Sequence, residues 1–473
     1  MVLIWSNHFL LDSPGTCDAK LFMITTGIIL AAGRGKRMQS NLPKPLHKVT
    51  GLALVDHTVR IMRIVGIQDI TIVVSPALEE ALDSHQGLLS GVKIVVQSNE
   101  LGTADAMISA RSSVGKCDSV VVAPVDMVLI TTEILSELIA VHNSSNALAT
   151  VMGARVEDPT GLGRIRLDNS GNPERVVEDH ELNDDLVESN LVNTAWYCFS
   201  NSWVWDQLDS VAPATETGEM YLPRVIEYAH KTAQSRVVIS EDSEVGMGVN
   251  DRIELAKVEA VMRRRINYTH MANGVSLKDP ANTYIDIDVE IGRDTSIGPG
   301  SHIGIRSKLG SNVVIGPNTQ IIASNISDDA VVDGARIHES FIGKGVYVGA
   351  NSLIRNGAEV HANAKVGNLA EIKNSVIGVG SSVSHFSYLG DATVGAKVNI
   401  GAGTVTCNYD GKGKHETVIE HHAMIGSSTM IVAPVNIGVG AKTGAGSVVR
   451  SDVPAGDTVA GVPAKSIKFK NKK

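Results

Sequence analysis

The sequence predicts a two-domain protein in which an α/β domain is followed by a parallel β-helix. Between residues 25 and 250, short apolar runs alternate with helical patterns. After Pro280, aliphatic residues recur at every sixth position over long stretches. The chain also has 45 glycines but only 4% aromatic residues, which favours repetitive, tightly turned structure. At 473 residues it is long enough for two or three domains.

The α/β segment, residues 25–250, contains five apolar runs that we interpret as buried parallel strands. They are Ile28–Leu30, Ile70–Val74, Ile94–Val96, Val120–Ala123 and Ala147–Val151. Their alternation with helical patterns predicts a sheet that is covered by helices on both faces. Residues 1–24 form an N-terminal extension to which we assign no function.

Residues 251–272 predict a helix that links the two domains. Asn250 or Asp251 can cap its first turn. An apolar stripe at spacings of three and four consists of Leu255, Val258, Met262 and Ile266.

From residue 273 to 473, the six-residue repeat dominates the pattern. The aliphatic positions are Ile285, Ile291, Ile297, Ile303, Leu309, Ile315 and Ile321, then Ile342, Val348, Ile354, Val360, Val366 and Ile372, then Ile419, Ile425, Ile431 and Ile437. In a parallel β-helix each hexapeptide forms one flat face, and the aliphatic side chain points into the prism. We expect the glycine that often follows to turn the corner. The register slips most widely before Ile419, so Cys407–Lys414 predicts a loop that leaves the prism.

Composition excludes several classes of protein. The net charge is -9 without a long basic run, so no nucleic-acid surface is indicated. No apolar stretch reaches the ~18 residues of a membrane span, and the N-terminus lacks the positive charges of a secretory signal. Cys17, Cys117, Cys198 and Cys407 have neither metal nor redox spacing. We therefore predict a cytoplasmic protein with small-molecule substrates, no nucleic-acid partner and no membrane span.

The first candidate site follows the first apolar run. That run leads into the small residues Ala31–Gly33, which let backbone N–H groups approach phosphates. Arg37 and Lys44 can neutralise phosphate charge. An ordinary glycine turn with solvated cations has the same composition, and the glycine pair taken alone favours that interpretation.

The second candidate site surrounds His385 in the hexapeptide region. A lone histidine is more often a packing residue than a catalyst, but other polar residues lie nearby in the sequence. They are the cations Arg355, Lys373 and Lys414 and the neutral groups Tyr388 and Asn399. Such a set is suited to a sugar phosphate, and an imidazole can take a proton at neutral pH.

Leu30–Met38 followed by Leu42-Pro43-Lys44 resembles the nucleotide-binding signature of sugar-1-phosphate nucleotidyltransferases. Further matches are Gln97 with Leu101–Thr103, Gly161–Arg164, Val177–Glu178, Val192–Thr194 and Gly248–Asn250. Together with the hexapeptide region they cover nearly everything from residue 25 onward. The whole resembles the bacterial bifunctional N-acetylglucosamine-1-phosphate uridyltransferase/glucosamine-1-phosphate N-acetyltransferase family.

This resemblance implies a Rossmann-like nucleotidyltransferase domain and a left-handed parallel β-helix acetyltransferase domain. It implies synthesis of UDP-N-acetylglucosamine, by N-acetylation of glucosamine-1-phosphate and then uridylyl transfer from UTP with release of pyrophosphate. It also implies acetyl-CoA and UTP as co-substrates, Mg²⁺ as cofactor, and a homotrimer with acetyl-transfer sites between subunits.

In the first half, the resemblance implies that Arg37 and Lys44 bind and polarise the triphosphate and that Asp126 and Asn250 hold Mg²⁺. Uridine would be held by Leu30, Ala32, Gly33, Gln97, Gly102 and Thr103, and the acetylated sugar by Gly163, Glu178 and Asn193. Two short segments depart from the family pattern. Pro124-Val125-Asp126 replaces the usual Gly-Asp around the metal ligand, and Thr194-Ala195 replaces Thr-Gly.

In the second half, the resemblance implies that His385 is the general base. Glucosamine-1-phosphate would be bound by Arg355, Lys373, Tyr388, Asn399 and Lys414, and acetyl-CoA by Ala402, Asn408, Tyr409, Ser427 and Ala445. The arginine that often contacts the CoA phosphate is not evident. Lys465, Lys468 or Lys470 are candidates for its place.

Two alternatives remain open from the sequence. One is a nucleotidyltransferase of other sugar or nucleotide specificity whose β-helix is only a scaffold, as in ADP-glucose-forming relatives. The other is a non-catalytic assembly subunit of the same architecture, as in the eukaryotic translation-initiation exchange factor. The chain keeps the charged and polar residues that the resemblance assigns to catalysis, which favours an enzyme over an assembly subunit. They are Arg37, Lys44, Asp126, Asn250 and His385.

Overall fold

The structure is a computed structural model that describes residues 23–467, apart from residues 86, 100, 183 and 215–217. The predicted extension up to residue 22, and Lys468 and Lys470, therefore lie outside the described residues. The chain divides into two compact units, one comprising residues up to 47 and 54–251, the other residues 48–53 and 252–473. None of the described helices combines the length and the apolar character that crossing a membrane requires.

The first unit is built on one mixed β-sheet. Its strands are β1 (Thr25–Ala31), β2 (Ile70–Val74), β3 (Lys93–Val96), β4 (Ser119–Pro124), β5 (Ala149–Arg155), β6 (Arg164–Leu167), β7 (Pro173–Val177), β8 (Leu191–Ser200) and β9 (Ser235–Ser240). Their order is β9-β5-β8-β4-β1-β2-β3, and β6 pairs with β8 and β7. The helices are α1 (Leu54–Ile64), α2 (Pro76–Leu82), α3 (Thr103–Ala110), α4 (Thr132–Ser144), α5 (Asp184–Val187), α6 (Asn201–Leu208) and α7 (Val225–His230).

The five predicted strands are all present, with two differences from expectation. β3 is not fully buried, because it lies at the edge of the sheet. β8, which the apolar runs did not reveal, enters antiparallel between β4 and β5, so the sheet is mixed. β8 has a register shift between Asn193 and Tyr197, and this irregularity hid it from a simple alternation pattern.

The second unit starts with a short hairpin and a long helix. The hairpin pairs Lys48–Val49 with Leu52–Ala53, and helix α8 spans Arg252–Ala272. The hairpin had been predicted as part of the 25–250 segment, but it packs with the second unit. The side-chain amide of Asn267 on α8 donates to the carbonyl oxygens of Pro280 and Thr283, at 2.8 and 2.9 Å, and so fixes the helix to the first coil.

The remainder is a prism whose three faces are β-sheets, each built from strands of successive coils. The first face contains Ser276–Leu277, Ser296–Ile297, Val314–Ile315, Val331–Val332, Tyr347–Val348, Lys365–Val366, Ser382–Val383, Asn399–Ile400, Met424–Ile425, Lys442–Thr443, Thr458–Ala460 and Lys465–Ser466. The second face contains Tyr284–Ile285, His302–Ile303, Gln320–Ile322, Arg336–His338, Leu353–Arg355, Glu371–Lys373, Tyr388–Gly390, Val405–Cys407, Met430–Val432 and Val448–Val449. The third face contains Glu290–Ile291, Lys308–Leu309, Asn325–Ile326, Phe341–Ile342, Glu359–Val360, Val376–Ile377, Ala392–Val394, Thr417–Ile419 and Val435–Ile437.

The aliphatic repeat forms the interior of this prism, as predicted. Successive coils pair in parallel, for example Ile297 with Ile315 and Ile315 with Val332. All the repeat positions are buried except Ile291, which is partly buried against the same core. The segment after Cys407 leaves the prism as a loop before Thr417, also as predicted. The predicted fold class, an α/β domain followed by a left-handed parallel β-helix, is confirmed.

The glycines that follow the aliphatic repeat residues allow the coils to stack closely, whereas we expected them to turn the corners. Gly292 does not adopt the left-handed conformation, but a Cβ there would lie 2.5 Å from the backbone of Gly310 in the next coil. Glycine is needed because the coils stack closely. The left-handed corner residue comes two positions later, as at Asp294, Asn312 and Asn318, with φ of 62°, 58° and 57°. Asn and Asp adopt this conformation more readily than other non-glycine residues.

Candidate functional site

The loop after β1 carries two of the predicted triphosphate residues. A Cβ on Gly33 would meet no atom within 4 Å, so packing inside the protein does not require glycine there. Gly35 has φ +56°, and a Cβ on it would lie 2.7 Å from the Cβ of Lys44. Gly35 therefore lets the loop close against Lys44. Arg37 lies exposed on the short helix Lys36–Met38.

Lys44 meets the two predicted metal ligands. Its Nζ lies 2.5 Å from Oδ2 of Asp126 and 3.2 Å from Oδ1 of Asn250. The three residues come from distant segments, after β1, after β4 and before α8. Two hard oxygen ligands thus converge on one positive charge, which is the donor chemistry that Mg²⁺ prefers. No group of three or more His, Cys, Asp or Glu side chains suited to a metal occurs among the described residues, so substrate or water oxygens must complete any coordination.

Val125, one of the departures from the family pattern, is accommodated inside the protein. Its side chain is buried, and its N–H donates to the carbonyl oxygen of Leu30 at 3.2 Å. The carbonyl oxygen of Asp126 accepts the N–H of Val249 at 3.1 Å. The branched side chain therefore leaves the backbone pairing around Asp126 in place.

The predicted uridine residues lie at the ends of β1 and β3. Leu30 and Ala32 belong to the end of β1 and its turn, and Gln97 follows β3. Gln97 is buried, and its Nε2 donates to the carbonyl oxygen of Gly102 at 3.3 Å and to Asp105 at 2.6 Å. Among the described residues no donor is recorded for its Oε1, which can accept from a ligand. The hydroxyl of Thr103 accepts the N–H of Leu222 at 3.0 Å, which holds the start of α3 in place.

The predicted sugar residues also come together. The N–H of Asn193 donates to the carbonyl oxygen of Gly163 at 2.8 Å, and a Cβ on Gly163 would lie 3.4 Å from Oε2 of Glu178. Burial, together with neighbouring carboxylates, raises the pKa of Glu178. Tyr197, which the motif analysis missed, accepts the Asn193 side-chain amide at 2.7 Å. Burial raises the pKa of Tyr197 far above its usual range, so it stays a neutral partner.

Ala195, the second departure, has φ +58° at the register shift of β8. Its N–H donates to Oδ1 of Asn193 at 3.0 Å. A residue with a Cβ is strained in this left-handed conformation, which glycine adopts freely. The turn beside the sugar residues therefore places Ala195 in a conformation that favours glycine.

In the β-helix, the predicted sugar-phosphate cations lie along the edge between the second and third faces. Arg355 pairs in register with Lys373, which in turn pairs with Gly390. Lys414 lies close to Lys373, and the hydrogen bond with Lys373 and its positive charge lower the pKa of Lys414. Two adjacent ammonium groups form a natural site for a phosphate.

Two acidic residues that the sequence analysis gave no role organise this edge. Glu371 holds Arg355 through one oxygen, 3.0 Å from Nε and 2.6 Å from Nη2. Asp391 accepts the side-chain amides of Asn374 at 2.6 Å and of Asn408 at 2.5 Å. Although burial opposes it, these hydrogen bonds and the nearby lysines lower the pKa of Asp391. The coil spacing of 17 residues between Asn374, Asp391 and Asn408 was the signal that could have revealed this stack.

His385 lies on the other edge of the second face, where the first face turns into it. The same edge carries three of the predicted acetyl-CoA residues in later coils, Ala402, Ser427 and Ala445. Nδ1 of His385 accepts the backbone N–H of Asn368 at 3.0 Å. The neutral ring therefore carries its proton on Nε2 in this orientation.

The loop from Asn408 to Glu416 is held by its own hydrogen bonds. The carboxylate of Asp410 accepts the N–H groups of Gly413 and Lys412, each at 2.8 Å, and contacts His415 at 2.8 Å. These contacts, that of Gly413 first, hold the pKa of Asp410 well below its usual range. Tyr409 bridges to Lys414 across the loop and is exposed.

The structure thus distributes the predicted acetyl-transfer residues over two edges. Tyr388 starts a strand of the second face, between the edge of His385 and the edge of Lys373. Asn399 starts the first-face strand that pairs with the strand preceding His385. Lys465 is exposed on the last strand. The edge of Lys414 and Asp391 borders a cavity of about 320 Å³ that is open to solvent.

Comparison with known proteins gives concordant results along the chain. Residues 27–188 match the model of the MobA-like NTP transferase domain family. The bifunctional protein GlmU of Syntrophomonas wolfei is 40% identical over 435 residues, covering 91% of this chain and 96% of that protein. The GlmU of Exiguobacterium sp. is 41% identical over 431 residues, covering 90% and 94%, and that of Clostridium botulinum strain 657 is 38% identical over 435 residues, covering 92% and 95%. The chain therefore belongs to the family of bifunctional GlmU proteins, the N-acetylglucosamine-1-phosphate uridyltransferase/glucosamine-1-phosphate N-acetyltransferases that its motifs indicated.

Proposed function

We propose that the chain carries out the two reactions of its family with the two clusters described above. The β-helix transfers an acetyl group from acetyl-CoA to glucosamine-1-phosphate. The first unit then transfers a uridylyl group from UTP to N-acetylglucosamine-1-phosphate, which yields UDP-N-acetylglucosamine and pyrophosphate. The observation that carries the proposal is the convergence of Lys44, Asp126 and Asn250 from three distant segments.

Uridylyl transfer needs alignment and charge neutralisation more than covalent help from the protein. A phosphate oxygen of the sugar phosphate attacks the α-phosphorus of UTP, and the bond to pyrophosphate breaks. Arg37 and Lys44 neutralise the triphosphate. The backbone around Leu30, Ala32 and Gly33 approaches the nucleotide. Oε1 of Gln97 accepts the N–H of the uracil ring, which lies next to Gly102 and Thr103. The acetylated sugar binds beside Gly163, Glu178 and Asn193.

Asp126 and Asn250 would hold Mg²⁺ at this site. The ion, when bound, neutralises the charge that develops on the phosphates. Lys44 now contacts both ligand oxygens, and with UTP bound its ammonium moves to the triphosphate.

Acetyl transfer uses the two edges of the second face. Lys373, Lys414 and Arg355 bind the phosphate of glucosamine-1-phosphate, and Tyr388 and Asn399 bind its hydroxyl groups. Acetyl-CoA lies along Ala402, Ser427 and Ala445 and reaches Asn408 and Tyr409 on the loop. The ammonium of the sugar loses a proton, its nitrogen attacks the thioester carbon, and CoA leaves as the thiol.

His385 takes that proton in our proposal. While its Nδ1 accepts the N–H of Asn368, the neutral ring presents a donor rather than a lone pair. Base action therefore requires the ring to rotate and give up this hydrogen bond, at a net cost of about 1 kcal/mol. A base gives an acetyl-transfer rate that falls as the pH is lowered and the ring is protonated. A purely hydrogen-bonding histidine gives no such fall.

We further propose a cytoplasmic homotrimer, because a single prism leaves its acetyl-transfer edges open. A neighbouring prism supplies the missing wall for a cofactor as long as acetyl-CoA. Light scattering on the full chain should give about three times the mass of 50.1 kDa. A monomer that still acetylates at full rate would contradict this part of the proposal.

A coupled assay tests the whole function. The purified protein with glucosamine-1-phosphate, acetyl-CoA, UTP and Mg²⁺ should release both free CoA thiol and pyrophosphate. Omission of acetyl-CoA should stop both, and N-acetylglucosamine-1-phosphate should then restore pyrophosphate alone. Pyrophosphate release with another nucleotide or sugar phosphate, but not with these substrates, would refute the proposed specificity.

A further inference from the structure

A cavity of about 580 Å³ lies in the second unit, among residues to which neither reaction assigns a role. Its walls are the hairpin 48–53, helix α8 and the first coils of the β-helix. Its size falls in the usual range for small-molecule sites, about 300–1,000 Å³.

The hairpin is fixed in this wall by specific contacts. The N–H of Thr50 donates to Oε2 of Glu259 at 2.6 Å, and the carbonyl oxygen of Thr50 accepts the N–H of Ile287 at 3.0 Å. Gly51 has φ +88°, and a Cβ on it would lie 2.6 Å from Oδ2 of Asp286. Only glycine allows the hairpin tip to approach the coil this closely. The cavity is therefore a built feature rather than a gap left by loose packing.

The two carboxylates of the cavity are occupied by donors of the protein itself. Asp286 accepts the N–H of Ile305 at 3.0 Å and contacts Nε2 of His302 at 3.4 Å. The hydrogen bond to Asp286 raises the pKa of His302. Burial raises the pKa of Glu259, whose carboxylate also accepts the Thr50 N–H. These acids do not form a metal-binding group among the described residues.

The cations of the cavity, unlike its carboxylates, are not held by an ion pair among the described residues. Lys48, Arg263 and Arg306 have no carboxylate within ion-pair distance in the part of the chain that the structure describes. Arg263 lies over the ring of Tyr284, 4.5 Å from its centre. The hydroxyl of Thr50, a residue only 3% exposed, is buried without a hydrogen-bond partner. The cavity thus offers three cations that make no ion pair among the described residues, an aromatic ring and an unsatisfied hydroxyl. Arg263 is nevertheless close enough to Glu259 to oppose the rise in the pKa of that carboxyl.

We propose that this cavity binds a phosphorylated small molecule. The guanidinium groups of Arg263 and Arg306 bind the phosphate oxygens in pairs, since their planar donors match that geometry. Lys48 adds a point charge from the hairpin, and the Thr50 hydroxyl finds a partner in the ligand. The apolar part of the ligand rests on Tyr284. This site is additional to the nucleotide and sugar-phosphate sites of the two reactions.

Isothermal titration calorimetry of the full chain with pyrophosphate tests the proposal. The wild-type protein should bind one more equivalent per chain than the double variant Arg263→Gln/Arg306→Gln. The control variant Arg293→Gln, which removes an exposed arginine of the β-helix outside the cavity, should match the wild type. An unchanged acetyl-transfer rate in the double variant would show that the β-helix is intact.

The variant Lys48→Gln gives an independent measurement, because this side chain is exposed and we expect its replacement to leave the hairpin in place. It should weaken the additional binding event at least about tenfold, which corresponds to about 1.4 kcal/mol. Equal stoichiometry and affinity in the wild type, the double variant and Lys48→Gln would overturn the proposal.

Discussion

The two candidate sites are built in opposite ways. Lys44, Asp126 and Asn250 come from segments up to 206 residues apart, and the ammonium of Lys44 contacts one oxygen of each of the other two. On the β-helix, functional residues occupy equivalent places in successive coils, so that Arg355 pairs with Lys373 and Lys373 with Gly390. The first site depends on the convergence of loops at the ends of strands. The second depends on a register that the whole prism repeats.

This difference determines what a substitution can reveal. In the prism, a side chain at a corner often does structural work as well, because it accepts an N–H from the preceding coil. His385 does this for Asn368, and His421 does it for Ala396 at another corner. The repeat therefore supplies its own matched controls. The first site has no such equivalents, and its controls must be chosen by exposure and distance.

The largest expected effect is that of His385→Ala on acetyl transfer. Loss of a general base costs about 10²–10⁴-fold in rate, whereas uridylyl transfer should stay near normal. Both rates and the melting temperature should be measured on the same protein. His421→Ala removes the same kind of N–H acceptor and should lower stability similarly without selective loss of acetyl transfer. Equal loss in the two variants would mean that His385 is a packing residue.

Asp126→Asn should affect only the other reaction. The amide keeps the size of the side chain but removes the charge that pairs with Lys44 and would hold a metal. Uridylyl transfer should fall about 10²–10³-fold, as measured by pyrophosphate release, and acetyl transfer should not change. The exposed residue Asp206 provides the control, Asp206→Asn. Full activity of the Asp126 variant, or of the wild type in EDTA, would contradict the metal assignment.

Mild acid should destabilise the first unit, because His142 is buried on α4 against the hydroxyl of Thr150. Burial lowers its pKa from 6.5 to about 4. Between these values the unfolded chain binds a proton that the folded chain does not, so stability decreases as the pH falls from 6.5 to 4. The full effect is roughly 3 kcal/mol.

Tryptophan fluorescence during urea unfolding can measure this effect, since Trp196, Trp203 and Trp205 all lie in the first unit. In His142→Gln the decrease between pH 6.5 and 4 should be smaller by that amount. The exposed His180 gives the control, His180→Gln, in which the decrease should persist. The same pH dependence in both variants would assign it to other groups.

The smallest expected effect concerns backbone strain in the first unit. Many left-handed corners of the prism carry Asn or Asp, whereas Ala195 adopts φ +58° with only a methyl side chain. Ala195→Gly should raise the free energy of unfolding of the first unit by about 1 kcal/mol. Ala154→Gly, in a regular part of β5, should lower it. A loss of stability in both variants would show that Ala195 is not strained.

The sequence predicted the prism better than the first unit, for a physical reason. A buried aliphatic residue every six positions specifies the face, the interior and the coil at once, and only Ile291 is less buried than expected. In the first unit the apolar runs located five strands, but the strand that precedes Glu178 was not among them. The antiparallel course of β8 and the turn at Ala195 depend on pairing between distant strands, which no local pattern records.

Contacts between neighbouring coils explain the residues that were missed at the second site. Asp391 lies within a recognised string, but its partners Asn374 and Asn408 are each 17 residues away. An alignment of successive complete coils, instead of successive hexapeptides, would have placed Asn374, Asp391 and Asn408 at the same position. The contact between Thr50 and Glu259 spans 209 residues and has no comparable signal.

The hairpin 48–53 makes the chain cross between its two units three times, after residues 47, 53 and 251. A protein formed by joining two finished parts end to end would need a single crossing. Cleavage at 251 therefore releases neither part whole, because the hairpin remains with the wrong fragment and Glu259 loses the N–H of Thr50. Exchange of one half with that of another protein, in the laboratory or in evolution, must replace the hairpin together with the β-helix. The interleaved chain thus acts as a barrier to recombination between the two catalytic halves.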